Sequence, residues 1–267
     1  NMVGMNPKGE KLKSFTYDLK EAGYKIGIAT NVSIDHATPA TFFASTSHRE
    51  NYYEIASQLA PSGFDFFAGS GFLEPTGKDK TKENICNLIR KADYALIRMP
   101  EELEQVPASQ KIVMVQAETD GIECSRESLV RAIDRTGNDG WTLTDFTKIG
   151  IDLLKNSQFF FMIEGGQIDW ESHDNNMPAM IQEMIDFSKA VEIALEFYEQ
   201  YPEETLIIVT SDHETGGLTL NKFEWTGTDH TGEDVPIFAI GAGSELFRGK
   251  NDNTDVAKNI KRLTVRN

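Results

Sequence analysis

Residues 159–173 read FFFMIEGGQIDWESH, an apolar run that changes abruptly into glycines and polar residues. Five consecutive apolar residues, 159–163, are typical of a strand that is buried on both faces of a parallel sheet. The glycines Gly165 and Gly166 then allow the backbone to turn tightly. The stretch therefore predicts a buried strand that ends at a turn, where polar side chains collect.

The same alternation of apolar runs and amphipathic segments continues in both directions along the chain. It predicts strands and helices: strands near 24–30, 64–67, 94–97, 111–116, 206–210 and 235–240, and helices near 11–22, 52–59, 82–92, 127–133, 144–154 and 177–199. Repeated alternation of this kind predicts an α/β fold, three-layered with a largely parallel central sheet. We interpret residues 1–267 as a single domain, within which the more polar stretch 71–140 is a candidate cap or subdomain.

The composition excludes several classes of partner. The chain has 267 residues with 42 Asp and Glu against 26 Lys and Arg, a formal net charge of −16. Such an acidic chain is not expected to bind nucleic acid or an anionic membrane, because phosphate groups select basic surfaces. Two cysteines cannot build a disulfide framework. Cys86 lies among apolar residues of a predicted helix, so we expect a buried thiol there.

A first polar cluster follows the strand at 159–163. If Asp169 opens a helix, His173 lies one turn further on the same face, because side chains four residues apart are neighbours. A carboxylate and an imidazole in this position can share one zinc ion, and the glycine turn brings Glu164 near them. The alternative is a helix-capping Asp169 beside a solvent-exposed His173.

Two further clusters lie at the ends of other predicted strands. Asp212 and His213 follow the strand at 206–210, and His230 precedes the strand at 235–240. Taken singly, each cluster is more often a turn, a cap or a solvated loop.

Together the three clusters are more informative, because each falls at a strand end of a predicted parallel sheet, and in such sheets ligands gather beyond the carboxyl ends of the strands. Their carboxylates and imidazoles suffice for two metal ions. Two-metal sites clamp the attacking and leaving oxygens of a displacement at phosphorus. Cations would also neutralise the clustered carboxylates before an anionic substrate approaches.

The motifs that contain these clusters resemble the metal-binding motifs of alkaline phosphatases. They are EGGQIDWESH at 164–173, TSDHETGG at 210–217 and HTGEDVPI at 230–237. The motif HATPA at 36–40, followed at the family's spacing by Arg49, resembles another part of that family. The match runs in order along almost the whole chain. It implies an alkaline phosphatase-like fold and a metal-dependent hydrolase of phosphate monoesters.

The resemblance implies a role for each matching residue. Asp169, His173 and His230 resemble the protein ligands of a first zinc ion. Asp212 and His213 resemble ligands of a second zinc ion.

Other matching residues resemble the third metal site and the phosphate site. Thr38 and Glu164 resemble the protein oxygen ligands of a third ion, magnesium in type, for which cobalt or zinc could substitute. His36 and Trp170 stand at two positions that influence this third ion. Arg49 resembles the arginine that binds the substrate phosphate, which suits its planar fork of donors; without the resemblance, a surface charge would be the plainer interpretation.

One departure from the family concerns the nucleophile. The family's serine, in an Asp-Ser-Ala-type motif, and an aspartate shared by two metals both precede the matching segment, and neither is found in these 267 residues. We therefore expect an N-terminally truncated domain with negligible phosphatase turnover by itself. The alternatives are a phosphodiester or sulfate-ester hydrolase of the same superfamily, and a non-catalytic protein that binds metal or phosphate.

The resemblance also implies partners and a location. It implies small phosphomonoesters and inorganic phosphate as ligands, a homodimer, and a periplasmic or extracellular protein. The path from His213 to His230 is too short for the crown-like subdomain that larger relatives insert there.

Overall fold

The computed structural model describes residues 2–107, 109–137, 139–219 and 221–265. The chain divides into two compact units. The first unit contains residues 1–130 and 134–165, and the second contains residues 131–133 and 166–267.

The first unit is built on a parallel sheet with helices. Its strands are β1 Lys25–Thr30, β2 Phe66–Ala68, β3 Ala95–Ile97, β4 Ile112–Met114 and β5 Phe159–Glu164. Its helices are α1 Phe15–Glu21, α2 Ala37–Phe43, α3 Tyr52–Ser57, α4 Leu59–Ser62, α5 Ile85–Lys91, α6 Pro100–Leu103 and α7 Leu143–Leu154. In the described part of the chain the strands form one five-stranded sheet in the order β3-β4-β2-β1-β5, with every pair parallel. The predicted α/β class with a parallel central sheet is confirmed.

Burial of apolar strands and of one face of α7 forms the core of this unit. α7 begins with a capping box in which the Thr142 hydroxyl accepts from Asp145 N, while the Asp145 carboxylate accepts from Thr142 N. This reciprocal pair satisfies amide groups that the first helical turn leaves unpaired. Phe146 and Leu154 of α7 then pack in the same buried cluster as Phe66 of β2.

The sheet order places two polar residues side by side at its carboxyl edge. β1 and β5 are neighbours in register, with Thr30 opposite Glu164. The Thr30 hydroxyl donates to Glu164 Oε2 at 2.6 Å. The stretch 71–140 supplies β3 and β4 to the same sheet, while a capping role for its loops stays a prediction.

The predicted helix at 127–133 is wrong. A short 3₁₀ turn, Ala132–Asp134, is the helical structure found at this end of the segment. Before it, Leu129 N donates to the Asn31 carbonyl at the end of β1. A hydrogen bond to a distant strand thus outweighs a weak helical periodicity, because tertiary context overrides local propensity.

The second unit contains the C-terminal helices and short antiparallel strands. Its helices are α8 Gln167–His173, α9 Met177–Gln200 and α10 Asn253–Thr264, and a 3₁₀ turn spans Ser244–Phe247. Its strands are β6 Leu206–Thr210, β7 Glu214–Thr215, β8 His230–Thr231 and β9 Ile237–Gly241. β6 pairs with β9, and β7 pairs with β8, both antiparallel.

The segments 206–210 and 235–240 are strands as predicted, but their expected place in a parallel sheet as buried strands is wrong. β6 is half-buried along most of its length, and Phe238 of β9 is 65% exposed. The physical reason is the connection. As far as the structure describes it, the chain between β6 and β9 forms the β7–β8 hairpin and no crossover helix, so it returns in the antiparallel direction.

The expected buried thiol at Cys86 is also corrected. Cys86 forms a disulfide with Cys124, with their Cα atoms 6.5 Å apart, within the usual range for such a bond. Both residues are fully buried. Beside the disulfide, Arg90 of α5 forms an ion pair with Glu123, so the segment around 123–124 is attached to α5 by a covalent bond and by charge.

None of the helices within the described ranges has the length and apolar character needed to cross a bilayer.

Opening the Cys86–Cys124 disulfide should destabilise the first unit. The bond closes a loop of 38 residues, for which chain entropy predicts a stabilisation of about 3–4 kcal/mol. Urea unfolding with and without reductant measures this loss. The double variant C86S/C124S serves as control, since its stability should not respond to reductant. A wild-type midpoint unaffected by complete reduction would contradict the expectation.

Asp35 should give the first unit a pH-dependent stability. Its side chain is fully buried, and both carboxylate oxygens lie within 3.2 Å of Leu73 N. Burial raises the pKa of Asp35 to about 7, although these hydrogen bonds oppose the rise.

Between about pH 4 and pH 7 the folded chain therefore binds a proton at Asp35 that the unfolded chain releases, and stability falls as pH rises through this window. Asp35→Asn should flatten this part of the profile and be more stable than the wild type at about pH 8, because the amide oxygen still accepts from Leu73. Urea midpoints measured across the pH range test this, and parallel profiles for the two proteins would refute it.

Candidate metal centre

Helix α8 places the first two candidate ligands on one face. It begins at Gln167, directly after the glycine turn, so Asp169 and His173 stand four residues apart in the same helix. Asp169 Oδ1 lies 3.4 Å from His173 Nε2. Their side chains are 31% and 36% exposed, so a dissolved ion can reach both.

The β7–β8 hairpin supplies the next imidazoles. Thr215 of β7 is opposite His230 of β8, and His213 immediately precedes β7. The rings of His213 and His230 stack with centroids 3.6 Å apart. Nε2 of His230 lies 3.6 Å from Asp169 Oδ1 and 3.1 Å from His173 Nε2.

Glu214 stabilises the hairpin from its other face. Its carboxylate accepts from the amides of Gly217 and Leu218 at 3.1 and 3.2 Å, and from the Thr231 hydroxyl. Residues opposite each other across a strand pair present side chains on the same face. Glu214 and Thr231 therefore interact on one face of the hairpin. The next pair, Thr215 and His230, presents its side chains on the opposite face.

The turn after β7 requires glycine. Gly216 has φ +84°, and a Cβ atom there would lie 2.5 Å from the ring of Trp225. Gly216 also donates to the Asp229 carbonyl and accepts from Thr226 N. These bonds fix the base of the loop that returns the chain to His230.

A backbone carbonyl fixes the tautomer of His173. Nδ1 of this imidazole is hydrogen-bonded to the carbonyl of Thr228. A carbonyl oxygen can only accept, so in the neutral ring Nδ1 carries the proton and Nε2 is left with a lone pair that a metal ion could use. Metal-binding histidines are oriented in this way by a partner on the other ring nitrogen.

The donor spacing fits a zinc ion. Tetrahedral zinc with bonds of about 2.0–2.1 Å holds its ligand atoms about 3.3–3.4 Å apart. The three pairs formed by Asp169, His173 and His230 are 3.4, 3.6 and 3.1 Å apart. Ligand atoms of Asp169, His213 and His230 also lie within 4.8 Å of one another. Two imidazoles and a carboxylate are a suitable donor set for this ion.

Asp212 and His213 form a second, more open pair. His213 Nε2 lies 3.3 Å from Asp212 Oδ2, although the residues are adjacent in sequence. The chain turns between β6 and β7, which lets both side chains face the same way. The Asp212 side chain is 67% exposed.

The first unit holds most of the other residues that the sequence singles out. Thr38 lies in the first turn of α2, just after His36, and Glu164 ends β5. Arg49 Nη2 lies 3.1 Å from His36 Nε2. A guanidinium has donors only, so His36 accepts, and this bond orients the half-buried Arg49. Trp170 lies in α8 of the second unit, where it is half-buried.

The sequence alone does not indicate that Glu214, Thr215 and the Thr228 carbonyl contact the segments of the candidate centre. A hydroxyl or a carboxylate in a turn shows no periodic pattern. Their contacts with the histidine-bearing segments emerge only when the hairpin is formed. The motif TSDHETGG did contain two of them, which is the signal that was available.

Comparison with known proteins gives consistent similarities. The family model described as alkaline phosphatase matches residues 1–66, 74–224 and 219–265. Alkaline phosphatase 4 of Bacillus subtilis is 27% identical over 347 residues, which cover 98% of this chain and 72% of that protein.

Solved structures give similar matches. The alkaline phosphatase from the Antarctic bacterium TAB5 matches with a TM-score of 0.85 and 31% identity over 100% of this chain and 79% of its own. One variant of the TAB5 protein carries bound Mg. The cold-active enzyme from Shewanella sp. has a TM-score of 0.86 at 23% identity, covering 99% of this chain and 81% of its own, and so shares the fold.

The centre in the second unit should bind zinc through His230. We expect His230→Ala to weaken zinc binding at least tenfold, because one of three closely spaced donors is lost. Competition with a chromophoric chelator measures the affinity. His48→Ala is the matched control, since His48 is 49% exposed and its ion pair is with Glu50. Equal affinities of the two variants would contradict the assignment.

Proposed function

Because this chain belongs to the alkaline phosphatase family, we propose that it carries the metal-binding and phosphate-binding residues of a two-zinc phosphomonoester hydrolase. The family and its fold support phosphomonoester hydrolysis in general. The observation that carries the finer proposal is the spacing of the donor atoms of Asp169, His173 and His230, which suits zinc.

The metal ligands follow from this assignment. Asp169, His173 and His230 hold the first zinc ion, and Asp212 with His213 contributes to the second. When bound, the ions act as Lewis acids and neutralise charge at the reacting phosphate.

The third ion is magnesium, held by Thr38 and Glu164. Oxygen donors suit this hard cation, and Thr30 fixes the Glu164 carboxylate by donating to its Oε2 at 2.6 Å. Cobalt or zinc could replace magnesium, since His36 and Trp170 stand at positions that influence this ion in the family.

Arg49 binds the phosphate of the substrate and orients it. Its guanidinium has five N–H donors, and His36 receives one of them. The others remain for phosphate oxygens, which a planar guanidinium can contact in pairs. His36 thereby limits the rotation of the arginine and reduces the entropy lost when phosphate binds.

The nucleophile is the serine that the family resemblance implies, supplied from outside these 267 residues. The 267 residues alone then have negligible turnover. Small phosphomonoesters and inorganic phosphate are the ligands, and the homodimer implied by the family stays a prediction. The Cys86–Cys124 disulfide supports a periplasmic or extracellular location, because disulfides persist in oxidising compartments.

Hydrolysis of three nitrophenyl esters tests the proposal. The full-length product of the gene should prefer the phosphate monoester over the phosphodiester and the sulfate ester. Arg49→Ala should lower kcat/KM for the monoester about a hundredfold or more, as loss of a transition-state donor does. Arg262→Ala, at an exposed position in α10, is the matched control.

Two outcomes would contradict the proposal. One is a higher kcat/KM for the diester or the sulfate, which would favour the other hydrolases of the superfamily. The other is an equal change of kcat/KM in Arg49→Ala and Arg262→Ala, which would mean that Arg49 does not bind the substrate phosphate.

A further inference from the structure

Thr215 lies between two of the candidate metal ligands. It is 8% exposed and stands in β7 opposite His230. Its Oγ1 is 2.5 Å from Asp169 Oδ1 and 3.2 Å from His213 Nδ1. One hydroxyl therefore touches a carboxylate of α8 and an imidazole beside the hairpin.

The hydrogen-bonding capacity of these groups fixes the direction of both bonds. An ionised carboxylate can only accept, so the single proton of the Thr215 hydroxyl goes to Asp169. The distance of 2.5 Å is typical of a hydroxyl that donates to a charged oxygen. The Thr215 oxygen is then an acceptor towards His213, whose Nδ1 must carry a proton.

We propose that Thr215 is a positioning residue whose one hydroxyl orients Asp169 of the first zinc site and sets the tautomer of His213 at the second. The inference rests on the proposed two-zinc function. With its proton on Nδ1, His213 presents the lone pair of Nε2 on the side where Asp212 Oδ2 lies 3.3 Å away. The second lone pair of Asp169 Oδ1 stays available towards His173 and His230, at 3.4 and 3.6 Å.

The arrangement links the two zinc sites. If the hydroxyl is lost, Asp169 loses a donor and His213 loses the acceptor that selects its tautomer. Partners of this kind typically account for a 10–100-fold change in metal affinity. A substitution that removes the Thr215 hydroxyl should therefore weaken zinc binding at both sites, although Thr215 is not itself proposed as a ligand.

Three substitutions separate the hydroxyl from the shape of the side chain. Thr215→Val keeps the β-branched shape that suits a strand and removes the hydroxyl. Thr215→Ser keeps the hydroxyl. Thr226→Val is the control, since Thr226 donates to the Gly217 carbonyl in the same loop and not to a candidate ligand.

Two measurements on the 267-residue chain test the proposal. Long-range ¹H–¹⁵N NMR spectra of the metal-free protein at about pH 9, where histidine is neutral, report the tautomer of His213. Zinc competition with a chelator reports the affinity. We expect the Nδ1–H tautomer in wild type, Thr215→Ser and Thr226→Val, and a shift towards the Nε2–H form in Thr215→Val. We expect zinc affinity to fall 10–100-fold in Thr215→Val and to stay at the wild-type level in Thr215→Ser and Thr226→Val.

The outcomes separate this inference from the proposed function. Zinc binding by wild type with unchanged affinity and tautomer in Thr215→Val would overturn the inference and leave the metal site intact. A loss that Thr215→Ser fails to restore would also overturn it, since the hydroxyl would not be the cause. Absence of zinc binding by wild type would contradict the proposed metal site, and the NMR result would still decide whether Thr215 sets the His213 tautomer.

Discussion

The candidate metal centre of the second unit depends on a hairpin of two residue pairs. Glu214 is opposite Thr231, and Thr215 is opposite His230. Because side chains alternate across a strand, the first pair interacts on one face and the second pair faces the other way. The first pair and the bonds from Glu214 to the following amides stabilise a ladder too short to be stable by itself. The second pair brings an imidazole to the candidate ligands of α8.

This arrangement separates the hydrogen bonds that stabilise the hairpin from those of the candidate metal ligands. Glu214 has its oxygens occupied by two amides and a hydroxyl, so it serves the turn. Asp169 accepts from one hydroxyl and keeps a lone pair directed at two imidazoles. Carboxylates in the same small region thus differ in how many lone pairs they keep for a metal ion, because their hydrogen-bond partners differ. Metal-binding histidines almost always donate their other ring N–H to a partner, and Nδ1 of both His173 and His213 has such a hydrogen-bond partner.

Much of the fold could be predicted from the sequence, because apolar runs indicate which segments form strands. The run at 159–163 is apolar without alternation, and the structure places it in β5, next to β1 in a parallel sheet. The segments 206–210 and 235–240 look similar in sequence but form an antiparallel pair. Strand direction depends on the connection between strands, and local composition does not encode it. The helix predicted at 127–133 failed because a bond to β1 decides that segment.

The site was predictable to a smaller extent. The spacing of Asp169 and His173 places them on one helix face by geometry alone, and the structure has them 3.4 Å apart. His213 and His230 are 17 residues apart in sequence, yet their rings stack. Local sequence does not predict this contact, and only the resemblance to the family's motifs made it expected. The disulfide between Cys86 and Cys124 joins positions 38 residues apart, and no local pattern indicates such a contact.

The most direct measurement of the central claim is anomalous diffraction from a zinc-soaked crystal of the chain, with data above and below the zinc absorption edge. We expect a peak at bonding distance, about 2.0–2.2 Å, from Asp169 and from Nε2 of His173 and His230. Zinc located elsewhere, with these three side chains unligated, would contradict it.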